Sequence, residues 1–268
     1  MSRKEIKIAV LILVTWIGCL PGCVDSADIE LGTASAQLVV EGKIEAGEPP
    51  YILLSKSGGF YAKQPVFVED ADVAISDDRG ITIQLNYEGD GKYVTTEMVG
   101  EVGRRYHLKI LHQGKGYEAW ATIPSLPEIE SIDVEYFNQS VLREEGYYIQ
   151  LKGEDNSLEP GYYRVLVYND DILINPLGTN DFFVAIADDA EVKKIEVPIP
   201  FEAGDKLRLE VLRIDKSAYA FYQSYLLLLL NDGGLFGSPP SNPESNISNE
   251  ALGLFQALSK LEVEVEIE

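Results

Sequence analysis

The last eight residues of the chain, Leu261-Glu-Val-Glu-Val-Glu-Ile-Glu268, alternate strictly between apolar and acidic side chains. Successive side chains of a β-strand point to opposite faces, so this stretch places Leu, Val, Val and Ile on one face and four glutamates on the other. The pattern predicts a strand that is buried on one face and solvated on the other, at the surface of a β domain.

A helical pattern precedes this strand at residues 216–230. Residues 217–230 contain no Gly or Pro, Asp215 can cap the N-terminus, and Asn231-Asp-Gly-Gly234 can end the helix. Tyr, Phe and Leu side chains surround the helix almost completely, so we expect it to be buried between other elements. At about 21 Å it is too short to span a bilayer.

The rest of the chain from residue 37 has the pattern of short strands. Runs of apolar, β-branched and aromatic residues alternate with turns rich in Gly, Asp and Pro, as is typical of β-sandwiches. Pro124-Ser-Leu-Pro127 interrupts the pattern, because proline fixes φ and removes a backbone donor. We predict a mainly β protein, with an N-terminal immunoglobulin-like β-sandwich at residues 37–124 and a second β-rich domain with one buried helix at residues 128–268.

The N-terminus carries the parts of an export signal. Three basic residues precede an apolar run, Ile8 to Ile17, which is too short to span a bilayer. Leu20-Pro-Gly-Cys23 resembles the box that ends bacterial lipoprotein signals, with proline in a slot that usually holds a different small residue. We predict that residues 1–22 are removed, that Cys23 is lipidated and that residues 23–36 form a tether. An ordinary secretory signal with an incidental cysteine is the alternative.

Cysteine and charge counts limit the chemistry of the exported chain. The other cysteine, Cys19, lies in the predicted signal, so no internal disulfide is expected. The chain has 22 basic and 44 acidic residues and a net charge of −22 at pH 7, and such a surface repels nucleic acid and anionic lipid head groups. We interpret it as a solubilising surface, with cation binding as the alternative. Acidic turns such as Asp77-Asp78 and Asp170-Asp171 are expected to be solvated.

An acidic segment at residues 86–97 matches part of a calcium-binding EF-hand loop. The matching residues are Asn86, Glu88, Asp90, Gly91 and Glu97. An EF-hand loop lies between two helices, whereas strand-like sequence flanks this segment. We therefore predict a hairpin turn at Glu88-Gly-Asp-Gly91 instead of a calcium site.

The histidines and aromatic residues are candidate binding groups. His107 and His112 are the only histidines, and their odd spacing places them on opposite faces of one strand, so we expect no zinc site. Trp120 is the only tryptophan after the predicted signal. Surface aromatics could form a sugar-binding platform, but aromatic residues of strands are more often core residues, and we favour the core interpretation.

Several short motifs occur in an order that is similar to one bacterial family. They are Leu38-Val-Val-Glu-Gly42, Ala71-Asp-Val-Ala-Ile-Ser-Asp77, Gly89-Asp-Gly-Lys-Tyr93 and Gly253-Leu-Phe-Gln-Ala257. With the lipoprotein box, they resemble the Bacteroidetes outer-membrane lipoprotein family catalogued as domain-of-unknown-function family 4249, although Leu254 and Gln256 depart from its Gly-Tyr-Phe-Gly-Ala motif. The resemblance implies a lipid-anchored outer-membrane protein that is often encoded beside a TonB-dependent transporter. The resemblance implies no catalytic, cofactor-binding or ligand-binding residues for this chain.

These patterns together favour a non-catalytic protein, without a cofactor, that is anchored to the outer membrane through Cys23 and displayed there as a surface or periplasmic domain. We expect it to capture or pass on a nutrient beside a TonB-dependent transporter, and its ligand is unknown. A structural or adhesive surface lipoprotein is the alternative. A third interpretation is a hydrolase, but no specific carboxylate pair marks its site.

Overall fold

Strands dominate the structure, a computed structural model that describes residues 36–58, 64–153, 160–175, 182–186, 193–230 and 241–268. These segments contain one α-helix, and the mainly β prediction is confirmed. The predicted signal peptide and Cys23 lie outside the described residues.

Nine of the described strands precede the Pro124–Pro127 junction. They are β1 (Leu38–Glu45), β2 (Tyr51–Lys56), β3 (Val66–Phe67), β4 (Asp72–Asp77), β5 (Thr82–Gln84), β6 (Asn86–Gly89), β7 (Lys92–Val94), β8 (Arg105–His112) and β9 (Lys115–Thr122).

Eight described strands and the helix follow the junction. They are β10 (Ser131–Phe137), β11 (Gly146–Lys152), β12 (Gly161–Asn169), β13 (Ile172–Leu173), β14 (Phe182–Ile186), β15 (Lys194–Glu196), β16 (Lys206–Ile214), α1 (Lys216–Leu230) and β17 (Leu252–Glu266).

The first half of the chain forms a sandwich of two sheets. β5, β4, β8 and β9 form a four-stranded sheet in which neighbouring strands are antiparallel. β6, β7, β2 and β1 lie in a larger, ten-stranded sheet. Both sheets contribute to one hydrophobic core, with Ile52 and Tyr93 from the larger sheet and Ile75 and Leu108 from the smaller one. This is the two-sheet arrangement of an immunoglobulin-like sandwich.

The C-terminal strand β17 joins the two halves of the chain. Its residues 252–258 pair in parallel with β1, and its residues 258–266 pair antiparallel with β16. The ten-stranded sheet therefore continues from the second half through β17 into the first, and residues 36–268 form one compact unit. The predicted domain boundaries did not include this arrangement, because they assigned the whole of β17 to the second half.

The two parts of β17 are buried differently. Phe255 and Ala257 point into the first core, while Leu254 and Leu258 pack against α1 on the other side of the sheet. Beyond Leu261 the burial alternates along the strand, which confirms the predicted half-buried pattern.

Gly253 allows β17 to approach β1. Its φ angle is 97°, a conformation that glycine tolerates and other residues rarely adopt. A Cβ atom at this position would lie 2.0 Å from the carbonyl oxygen of Val40. Any other residue would therefore push the two strands apart.

Helix α1 has the predicted bounds but is only half-buried. The carboxylate of Asp215 caps it by accepting a hydrogen bond from the Ala218 backbone N–H at 2.8 Å. Among the described strands, the helix packs against β12 and β17, and Tyr222 is buried there. Leu227 and Leu230 are 70% and 79% exposed. The prediction that the helix is buried between other elements is therefore wrong.

Candidate functional site

The outward face of the four-stranded sheet carries aromatic and hydrogen-bonding side chains. On β8 and β9 the buried side chains alternate with outward ones, since successive residues of a strand point to opposite faces. We call this surface the Trp120 face and define it by seven outward residues, which are Asp72, Gln84, Arg105, His107, Lys109, Glu118 and Trp120.

Strand register arranges these residues in rows across the sheet. One row runs from Thr82 through Ser76 and His107 to Trp120. The next row runs from Gln84 through Ala74 and Lys109 to Glu118. Neighbouring strands are about 4.8 Å apart, so each row of four is about 14 Å long.

Trp120 is held in a stack with two groups from β8. The imidazole of His107 lies parallel to the indole, with ring centroids 3.7 Å apart and an interplanar angle of 5°. The guanidinium of Arg105 lies 4.4 Å from the indole centroid. These contacts orient the indole, yet Trp120 remains 46% exposed.

His107 is the buried member of this stack, at 8% exposure. Its Nε2 atom lies 3.3 Å from a carboxylate oxygen of Glu118. The orientation does not satisfy a hydrogen bond, and Nε2 has no hydrogen-bond partner among the described residues. The contact nevertheless links the Trp120 row to the neighbouring row through Glu118.

A shallow depression of about 260 Å³ lies beside the stack. Its lining includes the small residues Ala74 and Gly116 and the polar residues Asp72, Gln84 and Lys109. Within the segments that the structure describes, the side chains of these three polar residues have no hydrogen-bond or ion-pair partner. They are therefore available to a bound molecule.

The ten-stranded sheet presents a different charged surface beside α1, which we call the ion-pair face and define by Lys43, Glu45, Lys260 and Glu262. The Nζ atoms of Lys43 and Lys260 lie 2.9 and 3.8 Å from the carboxylate of Glu45. Lys260 also lies 2.9 Å from Glu262. This hydrogen bond raises the pKa of Lys260 and lowers the pKa of Glu262, so both groups remain charged.

The segment that resembles a calcium loop forms the predicted hairpin. β6 and β7 flank a turn in which Asp90 and Gly91 have φ angles of 48° and 75°. Positive φ at both central residues is the geometry of a type I′ turn. In the described part of the chain, no group of three or more His, Cys, Asp or Glu side chains is placed to hold a metal ion.

The two histidines lie on opposite faces of β8, as predicted. His107 is on the Trp120 face, whereas Nδ1 of His112 lies 3.3 Å from a carboxylate oxygen of Asp70. Several large aromatic residues belong to the cores, including Tyr93, Tyr106 and Phe255. The core interpretation therefore holds for these residues but is wrong for Trp120.

A sequence signal for Trp120 exists on β9 itself. Tyr117, Ala119 and Ala121 occupy alternate positions and are buried, so an aromatic residue at position 120 must point the other way. The aromatic count alone did not reveal this, because the count carries no information about strand phase. The polar residues of β4, β5 and β8 beside Trp120 were likewise not predicted as a site, because only strand pairing brings them together.

Two predictions about the membrane have different outcomes. No helix in the described segments is long and apolar enough to cross a bilayer, as we expected for α1. Cys23, the one predicted site residue, lies outside the described residues, and its lipidation stays a prediction.

These features define a mainly β protein with an open aromatic and polar face. Residues 24–263 match the family model described as "Domain of unknown function (DUF4249)", and the chain belongs to this family. The resemblance of its motifs to that family is thereby confirmed. No curated protein matches the chain.

One solved structure with detectable similarity is a segment of two fibronectin type-III domains from chicken tenascin. The similarity covers 86% of this chain and 99% of that chain, with 8% sequence identity and a TM-score of 0.24. A similarity at this TM-score supports no conclusion about fold or function.

Proposed function

We propose that this protein is a non-catalytic binding protein that is anchored to the outer membrane through a lipid on Cys23 and captures a nutrient for a TonB-dependent transporter. The observation that carries the binding role is the Trp120 face. It combines a half-exposed, rigidly oriented indole with hydrogen-bonding side chains that have no partner among the described residues. Membership of the family and the Leu20–Cys23 box support the anchor and its location.

The chemistry of the Trp120 face suits binding better than catalysis. Its carboxylates, Asp72 and Glu118, are both exposed, and β8 lies between the strands that carry them. General acid–base catalysis requires groups that are held together within hydrogen-bond reach of a substrate. A flat surface with one aromatic contact instead favours reversible recognition.

A structural or adhesive role is the second candidate, and the exposed end of α1 offers it a contact surface. Leu227, Leu229 and Leu230 are 70%, 48% and 79% exposed. Exposed apolar patches often mark contacts with other proteins. An adhesive surface protein and a transporter subunit would both use such a contact, so the experiment must separate the two.

The anchor is tested by replacing Cys23 with serine. We expect Cys23→Ser to move the folded protein from the membrane fraction to the soluble fraction, because serine lacks the thiol that carries the lipid. Cys19→Ser, within the predicted signal, is the matched control and should leave the protein in the membrane fraction. A Cys23→Ser protein that fractionates like the unmodified protein would contradict lipid anchoring.

The transporter partnership is tested by purifying the tagged full-length protein from its own membranes in mild detergent. We expect a TonB-dependent transporter to co-purify and to be identified by mass spectrometry. Deletion of the protein should then reduce uptake of the nutrient. Loss of cell adhesion with unchanged uptake, and no transporter in the purified material, would support the adhesive role instead.

A further inference from the structure

We propose that the Trp120 face binds a neutral oligosaccharide, with one sugar ring packed on the indole of Trp120 and the adjoining rings over the depression beside it. This inference rests on the proposed binding function and specifies the chemical class of its ligand. Four observations carry it: the exposed indole, the unpaired polar groups, the balance of charge and the length of the rows.

The indole offers a flat apolar surface to a sugar ring. One side of a pyranose presents C–H groups, which pack on aromatic rings, while its hydroxyl groups point outward. Arg105 and His107 both belong to β8 and approach Trp120 from that strand. β9 is the edge strand of its sheet, and Ser248 hydrogen-bonds to its edge at Glu118. No hydrogen bond from another described residue reaches that edge at Trp120. The residue keeps 46% of its surface exposed, and this exposed part of the indole is what a sugar ring can contact.

The polar residues beside the indole supply the hydrogen-bond donors and acceptors that the hydroxyl groups of a sugar require. Each hydroxyl group can donate one hydrogen bond and accept others, so a sugar requires both kinds of partner. Lys109 can only donate, Asp72 and Glu118 can only accept when ionised, and Gln84 can do both. Because the side chains of Asp72, Gln84 and Lys109 bond to no other described residue, no internal hydrogen bond would be lost when they bind hydroxyl groups.

The charge of this surface indicates a neutral ligand. Arg105 and Lys109 are balanced by Asp72 and Glu118, although the whole chain has a net charge of −22. An anion site would need an excess of cationic groups to overcome this field. A cation site would need clustered carboxylate ligands, which β8 keeps apart on this surface.

The dimensions favour several sugar units over one. The rows that end at Trp120 and Glu118 are about 14 Å long, and the surface is open along them. A single sugar could occupy the depression of about 260 Å³ without reaching the indole. A short linear oligosaccharide can contact both.

The test is a glycan array of neutral oligosaccharides probed with the purified full-length protein, followed by titration calorimetry of each hit. We expect at least one linear neutral oligosaccharide to bind with a dissociation constant below about 1 mM. Saturable change of tryptophan fluorescence on titration should accompany binding, because Trp120 is the only tryptophan after residue 22.

Variants then locate the site. Trp120→Ala should weaken binding about tenfold or more, and Gln84→Ala should weaken it several-fold without touching the stack. Tyr136→Ala is the matched control, because Tyr136 is also an aromatic strand residue with 46% exposure but lies on β10. It should leave the affinity unchanged. Denaturation curves of each variant verify folding, and Trp120→Phe, which keeps an aromatic ring, should retain part of the affinity.

Three results would overturn the proposal: no neutral glycan binding at about 10 mM, undiminished binding by both Trp120→Ala and Gln84→Ala, or equal loss in Tyr136→Ala. If no glycan binds but the transporter still co-purifies, the sugar assignment fails and the proposed function stands. If glycans bind at Trp120 but no transporter co-purifies, the saccharide site stands and the transporter role fails.

Discussion

The Trp120 face and the ion-pair face are both outward surfaces of β-sheets that carry charged side chains, but they arrange those charges differently. On the ion-pair face, Glu45 is only 8% exposed and lies between two lysines, one of which also pairs with Glu262. On the Trp120 face, the polar groups surround an exposed indole and are mostly unpaired. Charge on a sheet face therefore indicates a binding surface only where the charges do not satisfy one another.

Burial of Glu45 explains part of this difference. Tyr222 of α1 donates a hydrogen bond to Gln256 at 3.2 Å on the ion-pair side of the sheet, and the side chain of Glu45 is only 10% exposed there, whereas those of Lys43 and Lys260 are 31% exposed. A charge in such a place must be paired, because an uncompensated buried charge is costly. No described element covers the Trp120 face, so water can solvate its polar groups until a ligand replaces it.

The largest effect is expected from Glu45→Ala. Its removal leaves Lys43 without its carboxylate partner, while Lys260 keeps Glu262. Because both lysines are 31% exposed, we expect the free energy of unfolding to fall by about 1–2 kcal/mol. Urea denaturation of the purified protein measures this. Glu118→Ala, the matched control on the Trp120 face, removes an exposed carboxylate and should cost less than about 0.5 kcal/mol. Equal losses in the two variants would remove the distinction between the faces.

A smaller effect is expected from Asp215→Ala, which removes the N-cap of α1, the helix beside the ion-pair face. The lost hydrogen bond to Ala218 should cost about 1 kcal/mol. Asp215→Asn keeps a capping oxygen and should cost less. A loss as large in Asp215→Asn as in Asp215→Ala would show that the carboxylate acts by its charge and not as a cap.

The stability of the protein is also expected to depend on pH through Asp215. Burial raises the pKa of this carboxyl group above its usual value of 3.8, although backbone hydrogen bonds partly oppose the shift. The folded protein therefore binds this proton more tightly than the unfolded chain does. The stability that protonated Asp215 contributes is fully present below the pKa of this group in the unfolded chain. It is lost as the pH rises through the pKa of the group in the folded protein. Asp215→Asn should remove this dependence from a series of denaturation curves at different pH.

An alkaline effect is expected at the edge of the ion-pair face, where Tyr51 lies beside Glu41. Burial, together with the charge and hydrogen bond of Glu41, raises the pKa of Tyr51 to about 12. The neutral phenol therefore contributes stability that is lost as the pH rises from 10 to about 12. Glu41→Gln should lower the pKa of Tyr51, as measured by the ultraviolet absorbance of phenolate. An unchanged titration would contradict the assigned role of Glu41.

The smallest effect on stability is expected from Arg105→Ala on the Trp120 face. An exposed cation–π contact contributes about 0.5–1 kcal/mol at most, so unfolding should change little. The fluorescence of Trp120 should nevertheless change, because the guanidinium that lies 4.4 Å from its ring is gone. Lys115→Ala, which removes a cation over Tyr117 instead, is the control and should leave the fluorescence unchanged.

Local patterns predicted most of the secondary structure. The bounds of α1 follow from Asp215 and from the run without Gly or Pro, and the Asp90-Gly91 turn follows from a need for positive φ that few residues meet. These features depend on neighbouring residues alone. The burial of α1 could not be predicted in the same way, because it depends on how many layers pack against the helix.

The prediction that the turn residue Asp77 is solvated is wrong, because its side chain is buried. Burial by itself would raise its pKa, yet hydrogen bonds from the Arg79 guanidinium and from the backbone N–H groups of Arg79 and Ile81 outweigh this and lower the pKa. A solvated acidic turn and a buried carboxylate that accepts hydrogen bonds across its turn have the same sequence pattern. Only the fold distinguishes them.

Periodicity, turn chemistry and motif order are local properties, and they were enough to predict a mainly β protein, the bounds of its helix and its family. The pairing of Leu252–Glu266 with both β1 and β16, and the position of Trp120, Gln84 and Lys109 on one surface, came from the tertiary structure. Pairing between strands that are distant in sequence depends on the packing of the whole core. The segment Leu261–Glu268 illustrates both contributions, since its alternation predicted the buried face and the fold supplied its partner strand.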